Sequence, residues 1–222
     1  MNCCRETVLK DFFTRKSFFI CLLVLLSTPS VSHSEQPIDV LQKSIDTGIA
    51  ILEDPQYQDI TEKDRQQKIL CETAWEAFDF KEFSKRVLGS NWRNFTSSQR
   101  RQFIDVFYEF LCKYYITRLQ ERYTDEEVIY LSQHQLADSR VLVKVNVLWK
   151  GVEVPVHVRM LKRNDTWKVY DIIVLGVSGV RNYRAQFQTI LLKQSPAHVI
   201  DLIENRIKQE EKRADNKRKV NE

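Results

Sequence analysis

The residues able to do covalent chemistry are few and widely spaced. Ser178 stands in Gly176-Val177-Ser178-Gly179, close to the G-x-S-x-G turn that projects a nucleophilic serine, but Val180 occupies the closing glycine position. A serine just ahead of an apolar-periodic run is also a helix cap, and this is the simpler reading of Ser178. His134, His157 and His198 are scattered, with neither an H-E-x-x-H pair nor a Cys/His spacing suited to zinc. No glycine-rich, phosphate-cradling loop occurs in the sequence. No catalytic residue, metal ligand or cofactor is therefore assigned. An enzyme is disfavoured, and a hydrolase built on Ser178 is kept only as an alternative.

The elements that would position any site change period halfway along the chain. Ile38, Leu41, Ile45, Ile49 and Leu52 recur at spacings of three and four, which predicts an amphipathic helix stopped at Asp54-Pro55. A second helix is expected from Thr61 to about Asp79, with Asp64 in its capping box, and a third from Phe80 to Leu88, ended by Gly89. Thr96 and Gln99 form a capping box that opens a long helix to about Arg122, with Phe103, Phe107, Phe110, Leu111 and Tyr114 on one face. A second apolar row, Ile104, Tyr108, Cys112, Tyr115 and Leu119, widens that face and predicts a helix covered on more than one side.

From Val128 onward the period is two. A strand is expected over 128–133. Val141, Val143, Val145, Val147 and Trp149 then alternate with mostly polar residues, and Lys150-Gly151 makes a hairpin turn. Val152, Val154, Val156, Val158 and Met160 face one way in the next strand, with Glu153, Pro155, His157 and Arg159 opposite; Pro155 suggests an edge or a bulge. Asn164-Asp165 turns into a fourth strand, Trp167 to Leu175. Helices from Val180 to Leu192 and from Pro196 onward follow, and the charged stretch 211–222 is expected as a tail without fixed structure. Helices, then a mainly antiparallel sheet of four or more strands, then helices, describe one α+β domain over residues 35–210.

The amino terminus bears on compartment. Arg5, Lys10, Arg15 and Lys16 precede the apolar run Ser17 to Leu26, and Ser30, Ser32 and Ser34 follow, the layout of a cleavable signal peptide over residues 1–34. The run is shorter than the about 20 residues that a spanning helix needs. Without residues 1–34 the chain keeps 30 basic against 28 acidic side chains, a balance that disfavours nucleic acid as a partner. Only Cys71 and Cys112 then remain, to be read either as a disulfide or as two buried thiols.

Two segments carry a family resemblance. Trp167-Lys168-Val169-Tyr170-Asp171-Ile172, Gly176-Val177-Ser178 and Asn182-Tyr183-Arg184-Ala185-Gln186-Phe187 resemble the W-x-V-Y-D-[VI], G-[VI]-S and N-Y-R-x-Q-F signatures of the MlaC, or Ttg2-type toluene-tolerance, family of ABC-transporter auxiliary proteins. More loosely, Arg86-Val87-Leu88-Gly89, Trp92, Gln99, Phe103, Phe107 and Leu111 are similar to its R-x-L-G-x-x-W segment and the long helix after it. Gly179, where the family usually has a larger residue, and the tail after Glu210 depart from the pattern.

The resemblance implies a periplasmic phospholipid carrier, monomeric and without a cofactor, in which helices and a curved sheet enclose an apolar cavity. Its implied partners are an inner-membrane ABC transporter complex with a lipid-binding domain and an outer-membrane lipoprotein complex. On that footing Val145, Val147, Val156, Val158 and Met160 on the sheet, with Phe103, Phe107, Leu111 and Phe187 on helices, are the expected acyl-chain contacts. Arg181 and Arg184 are candidates for the headgroup phosphate. A filled core made of the same side chains, in an adaptor that docks without lipid cargo, is the alternative from a different class.

Overall fold

The computed structural model describes residues 35–221, with side chains through Arg213; the expected signal peptide, residues 1–34, lies outside the described residues. Helix α1 (Pro37–Glu53) begins with proline at its first position, and its amide at Ile38 donates to Gln133 Oε1 at 3.1 Å, which ties the helix start to the sheet. The second helix, α2 (Lys63–Ala77), is shorter at both ends than expected. A 3₁₀ turn (Ile60–Glu62) precedes it, capped by Asp59 rather than opened by a box at Asp64. At the other end Phe78 is extended and bridges Val169, while the Asp79 amide donates to the Val169 carbonyl at 2.8 Å. Backbone pairing with a distant strand thus ends α2 two residues early.

Asp79 then caps α3 (Phe80–Leu88) by accepting from the Glu82 amide, and Gly89, at φ +58°, permits the stop. Helix α4 (Ser97–Arg122) carries the predicted capping box in full: Thr96 Oγ1 accepts from the Gln99 amide, and Gln99 Oε1 accepts from the Thr96 amide. Cys71 of α2 and Cys112 of α4 are disulfide-bonded across a sequence separation of 41, with their Cα atoms 5.7 Å apart.

Five strands, β1 (Glu127–Ala137), β2 (Arg140–Trp149), β3 (Val152–Arg163), β4 (Thr166–Val174) and β5 (Val177–Ser178), pair antiparallel in chain order. Lys150-Gly151 and Asn164-Asp165 all have positive φ, the backbone twist that two-residue hairpins require. The first strand runs longer than expected because its pairing with β2 continues to Ala137 at the hairpin turn; register shifts after Tyr130 and after Gln135 each insert one unpaired residue, Leu131 and Leu136, and both are exposed. Pro155 lies on neither an edge strand nor a bulge. It faces Asn146 of β2, and the β3–β4 ladder starts one residue later at Val156, so its missing N–H leaves no ladder bond unmade.

Ser178 caps α5 (Gly179–Leu191), and α6 (Pro196–Asn221) runs beside α4 with Val199, Ile200, Ile203 and Ile207 buried. The helix continues through the stretch expected as a tail. Its charged residues are good helix formers, and Glu210 and Glu211 have partners: Arg118 at 3.5 Å, Arg213 at 3.1 Å, and Lys113.

The disulfide restrains a long loop, so the double variant Cys71→Ser with Cys112→Ser is expected to lose up to about 4 kcal/mol of unfolding free energy. Urea denaturation reads this directly. An unchanged midpoint would show that the link contributes no stability.

Candidate functional site

Strand register builds the site. Directly opposed pairs Val141/Met160, Val143/Val158, Val145/Val156, Val147/Val154 and Trp149/Val152 place ten apolar side chains on one face of β2 and β3. Val128 and Tyr130 of β1 extend that face beyond Val147 and Val145, and Ile172 and Val174 of β4 extend it beyond Val158 and Val156. Burial falls steadily along this ladder. Val141, Val143, Val145, Val158 and Met160 are buried, with Leu41 of α1 packed among them; Val147, Val154 and Val156 are half-buried; Trp149, Val152 and Val174 are exposed. One end of an apolar face is closed by a helix, and the other opens.

The helices build a second, separate apolar cluster. Phe103 and Phe107 are fully buried, and both meet Phe187 edge-on with ring centroids 5.5 and 5.4 Å away; Phe83, Phe95, Val180 and the buried face of α6 surround them. Phe78, the residue that leaves α2 to bridge β4, packs against both clusters. The nine expected acyl-chain contacts are therefore divided. Val145, Val156, Val158 and Met160 belong to the sheet cluster, while Phe103, Phe107 and Phe187, with Leu111 against them, belong to the helical one. Val147 lies where the sheet face passes from covered to open.

Tyr130, Ile172 and Val174 belong to this face although the sequence pattern did not mark them. Tyr130 meets Val145 only after two register shifts in β1, and the unpaired Tyr170 moves the β3–β4 register by one residue, so that Ile172 and Val174, rather than Asp171 and Ile173, stand opposite Val158 and Val156. Tyr115 and Leu119 of α4, which the second apolar row put on a covered side of the helix, are exposed instead; the Tyr115 hydroxyl lies 3.1 Å from that of Tyr183 on α5. Burial, followed by this contact, raises the Tyr183 phenol well above the usual tyrosine range. A different, open cleft of about 480 Å³ has an aromatic floor of Trp75, Phe78 and Phe80 and a rim that includes Lys81, Arg101, Arg163 and Lys168; none of the nine residues lines it.

The two layers are locked together by the segment that carried the resemblance. Asp171 of β4, 1% exposed, accepts from the Val180 amide at 3.0 Å, from Ser178 Oγ at 2.7 Å and from Arg159 at 3.0 Å. Ser178 in turn accepts from the Arg181 amide, so its hydroxyl is buried and fully engaged as the cap of α5. Gly179 lies close to the lock without being required by it: a Cβ there would make ordinary contacts, 3.5 Å from the Ile172 carbonyl and 3.8 Å from Asp171 Oδ1.

The two candidate headgroup arginines differ. Arg184 donates twice to the Arg86 carbonyl, at 2.8 and 2.6 Å, and so closes the end of α3; Arg181 is exposed and donates to the Gly176 carbonyl at 3.3 Å. Among the described residues no group of three or more His, Cys, Asp or Glu side chains is placed to hold a metal ion, and no helix is long and apolar enough to cross a membrane.

The fold, an antiparallel meander packed with helices, is similar to that of a solved structure. The phospholipid-binding protein of Ralstonia solanacearum, solved in complex with a phospholipid, superposes with a TM-score of 0.69 over 79% of this chain and 99% of that one, at 23% identity. The model of the MlaC protein family matches residues 42–205, and the chain belongs to that family. A curated relative, the intermembrane phospholipid transport system binding protein MlaC of Haemophilus influenzae, is 25% identical over 198 residues, covering 84% of this chain and 88% of its own.

Asp171→Ala strands Arg159, Ser178 and the Val180 amide at once and is expected to destabilise the fold by about 3 kcal/mol or more, with Asp171→Asn milder because it keeps an acceptor for the amide. Thermal melts of the two variants test the lock. Equal melting temperatures for wild type and Asp171→Ala would show that the layers are joined some other way.

Proposed function

We propose that the protein is a periplasmic carrier that holds a glycerophospholipid with its acyl chains against the valine face of the sheet, between that face and the helical layer. The observation that carries this reading is the graded valine ladder. A folded protein that only needed a core would close this face along its whole length, whereas here burial gives way to exposure within the same strands. The separation of the sheet and helical clusters supports it further, because side chains meant for a single filled core would interlock. Support also comes from the phospholipid held by the Ralstonia protein and from the transport system in the name of the Haemophilus relative.

Physical magnitude favours such a container. Two acyl chains bring about 30 methylenes, and exposing them to water costs about 0.8 kcal/mol each, on the order of 20 kcal/mol in all. A cavity as apolar as the bilayer makes transfer between membranes nearly balanced, without a chemical step at the carrier. In this scheme the protein acts as a monomer without a cofactor, after loss of residues 1–34. It exchanges lipid with an inner-membrane ABC transporter complex through that complex's lipid-binding domain and with an outer-membrane lipoprotein complex, which serves lipid asymmetry of the outer membrane. Arg181, the more exposed of the two arginines, is the better placed to meet the phosphate.

Native mass spectrometry of the protein purified from a lipid-containing cell is expected to show one chain carrying the mass of one phospholipid. A bare chain throughout would sink the proposal. Val154→Glu sets a carboxylate on the half-open part of the face and is expected to weaken phospholipid binding by about tenfold or more, with the fold intact by circular dichroism; undiminished binding would remove this face from the site.

A further inference from the structure

Among the described residues, three buried side-chain polar atoms have no hydrogen-bond partner: Ser84 Oγ, Arg86 Nε and the Tyr130 hydroxyl. The first two belong to α3. Arg86 is otherwise satisfied, paired with Glu82 at 2.8 Å and resting on the Tyr170 ring. Tyr130 is different in kind. It stands on the apolar face of the sheet opposite Val145, next to the Val128/Val147 pair, at the place where the ladder passes from buried to half-buried. Helix α1 packs on β1, and its Ile38, Val40, Leu41 and Ile45 belong to the same apolar cluster as Tyr130. Burial, helped by the charge of Asp46, pushes the phenol up to about 12, so it stays a neutral donor through the whole physiological range.

A desolvated donor without an acceptor is destabilising, and native proteins seldom retain one unless something completes it. What is wanted at this spot is an acceptor that is uncharged, since the Asp46 carboxylate acts on the same phenol and disfavours a phosphate. It must also sit at the root of an otherwise apolar chain. We propose that the Tyr130 hydroxyl donates a hydrogen bond to the carbonyl oxygen of an ester joining an acyl chain to glycerol, so that the carrier selects ester-linked diacyl phospholipids over their ether-linked counterparts. This rests on the carrier reading and sharpens it. Acyl methylenes offer nothing for a phenol to read, and an ether oxygen is a poorer acceptor in a different position, so discrimination falls on this one group.

The test is competition of a diacyl and a dialkyl phospholipid, matched in headgroup and chain length, against a fluorescent phospholipid bound to wild type and to Tyr130→Phe. Wild type is expected to prefer the diester by about five- to tenfold, the range of one neutral hydrogen bond. Tyr130→Phe is expected to bind both lipids equally, through weakened diester binding, and to melt no lower than wild type when free of lipid. Equal affinities in wild type, or a preference that survives in Tyr130→Phe, would overturn the assignment while leaving the carrier reading in place. Failure of both lipids to compete with wild type would instead remove the carrier reading and this inference with it.

Discussion

Two layers of this molecule meet at a buried carboxylate. Asp171 accepts from the amide that opens α5, from the serine that caps it and from Arg159 on the neighbouring strand. A negative group at a helix start is favourable in itself, because it meets unsatisfied amides and the positive end of the helix dipole. Here it also fixes the angle at which α5 leaves the sheet. Phe187 and Tyr183 on α5 then reach Phe107 of α4, and Arg184 reaches the carbonyl end of α3. Three helices thus take their places from one strand residue.

Beyond that anchor the two layers keep separate apolar clusters, joined through Phe78. A small domain ordinarily gains most of its stability by merging the apolar faces of its layers. In this fold the helices are self-sufficient, with their own aromatic cluster, and α1 covers only part of the sheet. Phe78 and the bridge from its backbone to β4 supply continuity between them. Fastening at one buried carboxylate, with apolar walls beyond it, suits a container for a greasy molecule, whereas fastening by interdigitated side chains would fill the space.

Much of this was legible in the sequence wherever structure is set by local chemistry. The Thr96/Gln99 box, the Lys150-Gly151 and Asn164-Asp165 turns, the Ser178 cap and the valine alternation all depend on neighbours within a few residues, and each appears where the pattern puts it. Features set by distant partners were not legible. Nothing near Phe78 announces that Val169 will claim its backbone and end α2, and nothing near Arg184 points to a carbonyl of α3. Apolar periodicity told which residues turn inward but not toward which neighbours, so sheet valines and helix phenylalanines that looked like one lining fall into two clusters. The charged end of α6 read as unstructured because its partners Lys113 and Arg118 lie on another helix.

The doubled irregularity of β1 bears on how the protein behaves in company. As the outermost strand it turns one row of amides and carbonyls away from the sheet, a template on which a stranger's strand could grow. Leu131 and Leu136, each the unpaired extra residue of a bulge, break that row at two points in eleven residues and twist what lies between. No long straight stretch is left for an intruding strand to copy, and so a molecule with an open greasy face is kept from stacking into fibrils through its rim.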